Sequence, residues 1–311
     1  MLLSRVAAQL FWGARYLERG ECTARIVRTF TEVIVDLPRG LNLSWEPLLA
    51  ISGSRSVYDE SHARASEADI VRFLVADPTN PSSVGAAIAA SRENMRTVRE
   101  VYPREAWQVS NDLFLYLQSN GEAAVDRRSR NRVLSRVISE SQRIDGILTS
   151  AMSRDEAYEM LRIGQSIERA DMTTRVVGVR AATLLALPID AEDHSEVQWM
   201  GVLRSVSAMQ MFQRWHRGPI DGESVVRFLV SDASFPRSVK ACVARIRRGL
   251  AELPHRPAVD EAVDDLEMAL AVQWFGDGDD AIALDTAMDA IQLKLSVLST
   301  AIHDELFTGK R

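Results

Sequence analysis

The sequence is poor in several residue types, and each shortage excludes a class of protein. Only two cysteines, Cys22 and Cys242, occur among 311 residues, and their spacing matches neither a disulfide framework nor a zinc site. No apolar run approaches the roughly 18 residues that a membrane-spanning helix needs. The first residues also lack the basic and apolar regions of a signal peptide. We therefore expect a cytoplasmic protein with reduced, buried thiols and no membrane partner.

Sequence motifs for nucleotide, hydrolase or metalloprotease chemistry are also missing. No phosphate loop, dinucleotide fingerprint, nucleophile elbow or zinc-protease motif occurs, and the five histidines show no metal-ligand spacing. A net charge of −6 argues against nonspecific binding to nucleic acid, which we do not expect as a partner. The sequence therefore assigns no catalytic residue, no metal and no cofactor to this chain.

Proline is absent from residues 1–37 and 104–187. Proline inside a helix costs about 3 kcal/mol, so proline-free stretches with apolar residues every three to four positions favour long helices. Since alternating strand patterns are also missing, we predict an all-α protein with long helices at 2–36, 122–152 and 155–186. Shorter helices are predicted at 45–59, 66–76, 82–101, 104–119, 195–216, 222–231, 236–252, 258–275 and 279–307.

Parts of the sequence occur twice in the same order. The segment at 16–27 recurs at 166–177, 150 positions later, and Leu-Pro pairs at 37–38 and 187–188 share that offset. Residues 71–75 recur at 226–230 with an offset of 155, and Trp45 corresponds to Trp199 with an offset of 154. This pattern predicts two diverged repeats, at about 1–153 and 154–311. Because no flexible linker separates them, we expect one compact helical domain, a multi-helix bundle of two pseudo-symmetric repeats sharing a core.

The repeated segment carries charged residues on an apolar helix face. In both copies two acids and one base, at positions i, i+3 and i+7, fall on the same arc as the apolar residues. The arginine after the first acid projects to a different side, where a neighbouring helix or a partner would meet it. We call these eight residues the Glu/Arg centre: Glu18, Arg19, Glu21, Arg25, Glu168, Arg169, Asp171 and Arg175.

Three interpretations of the Glu/Arg centre remain open from sequence. Because an isolated buried ion is very costly, the residues can form a structural ion network where the two halves meet. Alternatively, the carboxylates line a polar pocket for the amine or guanidine group of a substrate. A divalent metal is the third option, but helical di-metal sites usually add a Glu-x-x-His pair, which is missing here. We favour the ion network and predict no metal.

A second cluster of charged and polar residues lies on the predicted helix at 82–101 and at the start of the next one. Three arginines at i, i+4 and i+7 lie beside its packing face, and such a row can bind phosphate or carboxylate groups bidentately. The alternative is a solvated helix face with nearby glutamates as counter-charges. The second copy has no equivalent row. We call this candidate substrate or partner surface the arginine ridge: Arg92, Arg96, Arg99, Glu100, Trp107 and Asn111.

These segments resemble the alpha-E family, all-helical bacterial proteins named for their helices and a repeated Glu-Arg dipeptide. The likeness covers the opening residues 3–19, the stretch at 92–111 and the second Glu-Arg dipeptide at 168–169. It runs nearly the whole length in the right order. Cys22 is a departure, since a polar residue is expected there. Members of this family are typically encoded beside, or fused to, circularly permuted ATP-grasp proteins and transglutaminase-like peptidases.

The resemblance implies partners more than chemistry. We predict an accessory or co-catalytic subunit of an ATP-grasp-dependent system that forms amide or peptide bonds. The chain would bind the ligase and help to shape its acceptor-substrate site, while ATP and Mg²⁺ are held by the partner. A transglutaminase-like protein is a second expected partner. Two alternatives stay open, namely a stand-alone enzyme that uses the Glu/Arg centre and a purely structural helical scaffold.

Overall fold

The computed structural model describes residues 2–36, 44–62, 64–185, 195–271 and 281–308. Within these ranges the chain forms 14 α-helices and no strand, so the all-α prediction is confirmed. No helix in them combines the length and the apolar character needed to cross a membrane. The helices are α1 (Ser4–Asp36), α2 (Pro47–Ile51), α3 (Arg55–Ser61), α4 (Glu67–Val75), α5 (Val84–Thr97), α6 (Arg104–Asn120), α7 (Arg127–Ala151), α8 (Glu156–Leu185), α9 (Ser195–Ser205), α10 (Met209–Trp215), α11 (Gly222–Ser231), α12 (Val239–Ala251), α13 (Pro257–Ala271) and α14 (Ala281–Ile302).

Two long helices, α1 and α8, form the centre of the bundle. They pack against each other, α1 also packs on α5 and α7, and α8 also packs on α12 and α14. Buried side chains from both predicted repeats belong to one contiguous apolar core. The Glu/Arg centre lies on α1 and α8, and four of its eight residues, Glu18, Glu21, Arg25 and Glu168, are buried in the middle of the bundle.

The backbones of α1 and α8 approach closely at Gly164. An ideal Cβ at Gly164 would lie 3.1 Å from the carbonyl carbon of Phe11 and 3.2 Å from its Cα, and closer still to its carbonyl oxygen. Real Cβ atoms do not approach backbone so closely, and backbone inside a long helix cannot move aside. A residue without a side chain is therefore required for this helix contact.

Two helices predicted as continuous are each broken in two. The segment predicted at 45–59 forms α2 and α3, and the one predicted at 195–216 forms α9 and α10. Gly53 (φ +65°) and Ser207 (φ +55°) adopt the left-handed conformation at these breaks. The N–H of the next residue then donates to the carbonyl five positions earlier. Ser54 donates to Leu49 at 2.9 Å, and Ala208 donates to Leu203 at 2.7 Å. This is the Schellman helix ending, which a pattern of apolar spacing does not reveal.

Other predicted bounds also need correction. The helix predicted at 82–101 ends at Thr97, because Val98 leaves the helical region (φ −127°, ψ 39°) and a short 3₁₀ helix, Arg99–Val101, follows. The helix predicted from 122 begins instead as a 3₁₀ helix, Gly121–Val125, before α7. The chain's last described helical turn, His303–Phe307, is a π-helix. The Leu-Pro pairs at 37–38 and 187–188 and the residues from 272 to 280 lie outside the described residues.

Local geometry recurs at positions that the sequence pairs between the two repeats. The Oγ of Ser83 accepts a hydrogen bond from the Ala86 N–H at 3.2 Å, and Ser238 Oγ accepts one from Ala241 at 3.1 Å. Six residues before each cap, an aspartate accepts a hydrogen bond from the N–H two positions after it. Asp77 accepts from Thr79 at 2.8 Å, and Asp232 accepts from Ser234 at 2.8 Å. Diverged copies of one unit would keep such features. The duplication itself stays a prediction from the sequence.

Candidate functional site

The two Glu-Arg dipeptides pair crosswise between α1 and α8. Glu18 Oε2 lies 3.0 Å from Arg169 Nε, and Arg19 Nε donates to Glu168 Oε1 at 2.5 Å. Glu18 is 2% exposed and Glu168 is fully buried. Each acid is thus neutralised by the arginine of the other dipeptide. The neighbour that each arginine meets is therefore the helix of the other dipeptide.

Each buried glutamate also holds a second arginine, which the sequence analysis missed. Arg237, just before α12, donates to Glu18 Oε1 at 2.5 Å and to Glu21 at 3.2 Å. Arg15 donates from Nε to Glu168 Oε2 at 2.9 Å and from Nη1 to the Ser299 hydroxyl at 2.7 Å. Arg15 lies one turn before Arg19, so helical periodicity could have found it. Arg237 follows a loop, where no periodic signal exists.

The remaining members of the Glu/Arg centre form one pair within each helix. Glu21 binds Arg25, and both side chains are buried. In α8 the corresponding Asp171 accepts from Arg175 Nε at 2.8 Å, with side chains 15% and 30% exposed. The same spacing therefore gives a buried ion pair in α1 and a partly exposed ion pair in α8.

The electrostatics fix the charges of these residues. Burial raises the pKa of Glu18, but Arg169 and Arg237 outweigh it and lower the pKa from 4.5 to about 2. For Glu168, Arg19 and Arg15 likewise outweigh burial, so its pKa is lowered. General acid–base catalysis needs a pKa near the working pH. With lowered pKa values the two glutamates are anions at neutral pH, and each is paired with two arginines.

The two cysteines are buried and not bonded to each other. Burial, with the Glu18 charge, raises the pKa of Cys22 strongly, and burial raises that of Cys242 to about 12. A nucleophilic cysteine needs a lowered pKa. Both thiols are therefore neutral side chains of the interior.

Residues 2–307 match the sequence profile of the Alpha-E family, which is described as a predicted alpha-helical domain with a conserved ER motif. The chain belongs to the Alpha-E family. The crosswise pairs show what its two Glu-Arg dipeptides do in this Alpha-E chain: they join two central helices through buried charges.

Curated relatives of this Alpha-E chain are longer proteins. An uncharacterized protein of Mycobacterium bovis and one of Mycobacterium tuberculosis are each 25% identical to it over 97% of the chain. The aligned region is 35% of each relative, so the chain spans about a third of their length. No solved structure matches the chain.

The arginine ridge is not a continuous row in the Alpha-E structure. Arg92 donates to Asn111 Oδ1 at 2.9 Å, and its guanidinium lies 5.2 Å from the centre of the Trp107 ring. Arg96 is exposed and pairs with Glu93 at 2.6 Å. Because α5 ends at Thr97, Arg99 and the next residue, Glu100, leave the helical register of the first two arginines. The prediction of three aligned arginines is therefore wrong.

A cleft of about 840 Å³ lies between α1, α2, α8, α9 and α14. Its walls include Phe30, Val202, Gln198 and Asp285, and Arg175 is the one member of the Glu/Arg centre that reaches it. The five helices come from three separate stretches of the chain, so no single sequence motif predicts this cleft. Within the described ranges, no three His, Cys, Asp or Glu side chains meet in a way that could hold a metal ion.

Proposed function

We propose that this Alpha-E chain is an accessory or co-catalytic subunit of an ATP-grasp-dependent system that forms amide or peptide bonds. It binds a circularly permuted ATP-grasp ligase, which holds ATP and Mg²⁺, and helps to shape the ligase's acceptor-substrate site. A transglutaminase-like protein is a second proposed partner. Cys22 and Cys242 are unpaired thiols, which fits a reducing cytoplasm as the place of assembly.

The observation that carries this proposal is the way the Glu-Arg dipeptides are used. Glu18 and Glu168 are buried, and each is held by two arginines. Their charges stabilise the contact between α1 and α8 and leave no free carboxylate for acid–base chemistry there. A rigid helical body of this kind is suited to presenting surfaces to a catalytic partner.

The length of the relatives supports a role beside other domains. In the mycobacterial proteins the region similar to this chain is 35% of the polypeptide, so about two thirds of each relative lies outside it. Domains on one polypeptide have a high effective concentration for each other. When the same units are separate chains, they must bind each other to reach this proximity.

The exposed part of the arginine ridge is the partner contact that we propose. Arg99 and Glu100 are exposed in the short 3₁₀ helix after α5, and Arg96 is exposed near the end of α5. Arg92 is fixed by Asn111 and so sets the position of the ridge rather than binding a partner. Exposed arginines bind carboxylate-bearing surfaces bidentately and are enriched in protein interfaces.

Co-purification with a circularly permuted ATP-grasp protein from the same organism tests the proposal. We expect a stable complex and at least a tenfold faster ATP turnover by the ligase when this chain is added. Arg99→Ala should weaken the complex about tenfold, whereas Arg128→Ala, an exposed arginine on α7, is the matched control and should not. Unchanged ligase turnover, or amide formation by the isolated chain alone, would contradict the proposal.

A further inference from the structure

The cleft between α1, α2, α8, α9 and α14 contains two aspartates from the same helix. Asp285 and Asp289 lie one turn apart on α14 and both line the cleft. Among the residues that the structure describes, no lysine, arginine or histidine forms an ion pair with either carboxylate. Like charges one helical turn apart repel each other, so this arrangement is unfavourable by itself.

The basic residues of the cleft are already neutralised. Arg175 donates to Asp171 at 2.8 Å, and Arg55 pairs with Asp59 at 2.8 Å and with Glu46 at 3.0 Å. The two aspartates of α14 therefore give the cleft an excess of negative charge. A bound cation would remove their repulsion.

A third acceptor on the cleft wall lacks a donor. Gln198 of α9 lines the cleft and is 9% exposed, and its buried Oε1 atom has no hydrogen-bond partner among the residues that the structure describes. A buried acceptor without a partner costs about 1–3 kcal/mol. A ligand that brings N–H groups would satisfy it.

The remaining walls of the cleft suit an apolar body. Phe30 and Val33 of α1, Leu48 of α2 and Val202 of α9 all contribute to them. On the α8 side, Gly178 leaves room for Asp285, because a Cβ at position 178 would lie 3.2 Å from Asp285 Oδ1.

The volume of the cleft also suits a small molecule. At about 840 Å³ it falls within the range of roughly 300–1,000 Å³ that is typical of small-molecule sites.

We propose that this cleft binds a small organic cation, an apolar molecule that carries a primary ammonium or guanidinium group. The cationic group binds Asp285 and Asp289 and donates a hydrogen bond toward Gln198, while the apolar part packs on Phe30 and Val202. This site does not depend on the proposed ligase partnership and can be tested on the chain alone.

The electrostatics of α14 are consistent with this assignment. Burial, followed by the charge of Asp289, raises the pKa of Asp285 above its ordinary value. A cation placed between the two carboxylates would reverse the second of these effects. Asp285 would then be fully ionised in the complex, which strengthens its bond to an ammonium group.

Calorimetric titration of the 311-residue chain with three probes of equal shape tests the proposal. The probes are 4-phenylbutylamine, 4-phenylbutanol and 4-phenylbutyrate, which share a phenyl ring on a four-carbon chain and end in an ammonium, a hydroxyl and a carboxylate group, respectively. We expect the amine to bind at least tenfold more tightly than the alcohol and the carboxylate not to bind measurably. Equal affinity of the amine and the alcohol, or no binding of the amine, would overturn the proposal.

Two double variants locate the site. Asp285→Asn with Asp289→Asn should weaken amine binding at least tenfold and leave alcohol binding unchanged. Glu252→Gln with Glu261→Gln removes the same net charge from exposed positions away from the cleft and should leave both affinities unchanged. Thermal melting checks that both proteins fold. Equal loss of amine affinity in the two double variants would show a general charge effect and would reject the cleft as the site.

Discussion

At the scale of single residues, the structure depends on how buried charges are matched. Glu18 and Glu168 lie in the interior because each has two arginines within ion-pair distance. Removing one partner of a buried pair leaves an uncompensated charge, which typically costs about 3–5 kcal/mol. The glutamates are therefore more important for folding than their number suggests.

The lowered pKa of Glu18 predicts a pH dependence of stability. Its ordinary pKa of 4.5 falls to about 2 in the folded protein, so the stabilisation is complete above pH 4.5 and lost as the pH falls toward 2. This contribution is on the order of 3 kcal/mol. Urea unfolding at pH 7, 5, 4 and 3 should show that the gap in unfolding free energy between wild type and Glu18→Gln narrows below pH 5.

An exposed acid provides the control for this titration. Glu261→Gln on α13 removes a surface charge and should change the unfolding free energy little at any of the four pH values. A gap between wild type and Glu18→Gln that stays constant down to pH 3 would mean that Glu18 is not held as an anion by Arg169 and Arg237.

Ser207 offers a second residue-scale prediction. Its φ of +55° is unfavourable for a residue with a Cβ, whereas glycine adopts it freely. Ser207→Gly should therefore raise the unfolding free energy by about 0.5–1 kcal/mol. Thermal or urea unfolding measures this change.

The break between α2 and α3 gives the matched reverse substitution. Gly53 has φ +65°, and a Cβ there would lie 3.0 Å from Arg175 Nη1. Gly53→Ser should lower stability where Ser207→Gly raises it. Two changes of the same sign would argue that these helix endings are not equivalent.

At the scale of helices, α1 and α8 meet through a close backbone contact. Gly164→Ala places a methyl group against the backbone of Phe11, which cannot move without shifting the helix. Overpacking of this kind typically costs about 1–3 kcal/mol. Urea unfolding should show this loss, and Gly146→Ala on α7, where a Cβ meets nothing within 4 Å, should instead stabilise the protein. Equal effects of the two substitutions would contradict the close contact.

Helix identity was predictable from the sequence, but helix ends were less so. Proline-free stretches located α1, α7 and α8 because apolar spacing and the absence of proline act locally. The breaks at Gly53 and Ser207 depend on one left-handed residue each, and serine gives no warning of such a conformation. The arginine ridge was mispredicted for the same reason, since a single change of backbone at Val98 ended its helix.

The charged centre was predictable in part. The repeated spacing placed Glu18 and Glu168 on apolar faces, and the cost of burying a charge required arginine partners. Which arginines serve is a tertiary property. Arg237 comes from a loop more than 200 residues after Glu18, and the fully buried Arg130 reaches two backbone carbonyls and Glu67. Neither contact has a sequence signal.

At the scale of the whole molecule, the two Glu-Arg dipeptides link the first half of the chain to the second. Their crosswise pairs lie between residues about 150 positions apart, on helices that share one apolar core. The ATP-grasp partnership and the cleft ligand that we propose both involve the surface of this body, whereas the crosswise pairs lie in its interior.

A double-mutant cycle on Glu18 and Arg169 tests the crosswise pairing most directly. The cycle compares the unfolding free energies of Glu18→Gln, Arg169→Met and the double variant, measured by urea unfolding. Glu18→Gln alone should lower the unfolding free energy by about 3 kcal/mol or more. The coupling energy between the two substitutions should be on the order of 2 kcal/mol. Glu18→Gln combined with Arg128→Met, a change on the exposed face of α7, should be additive. Additive effects of the Glu18 and Arg169 substitutions would contradict a buried ion pair between the two dipeptides.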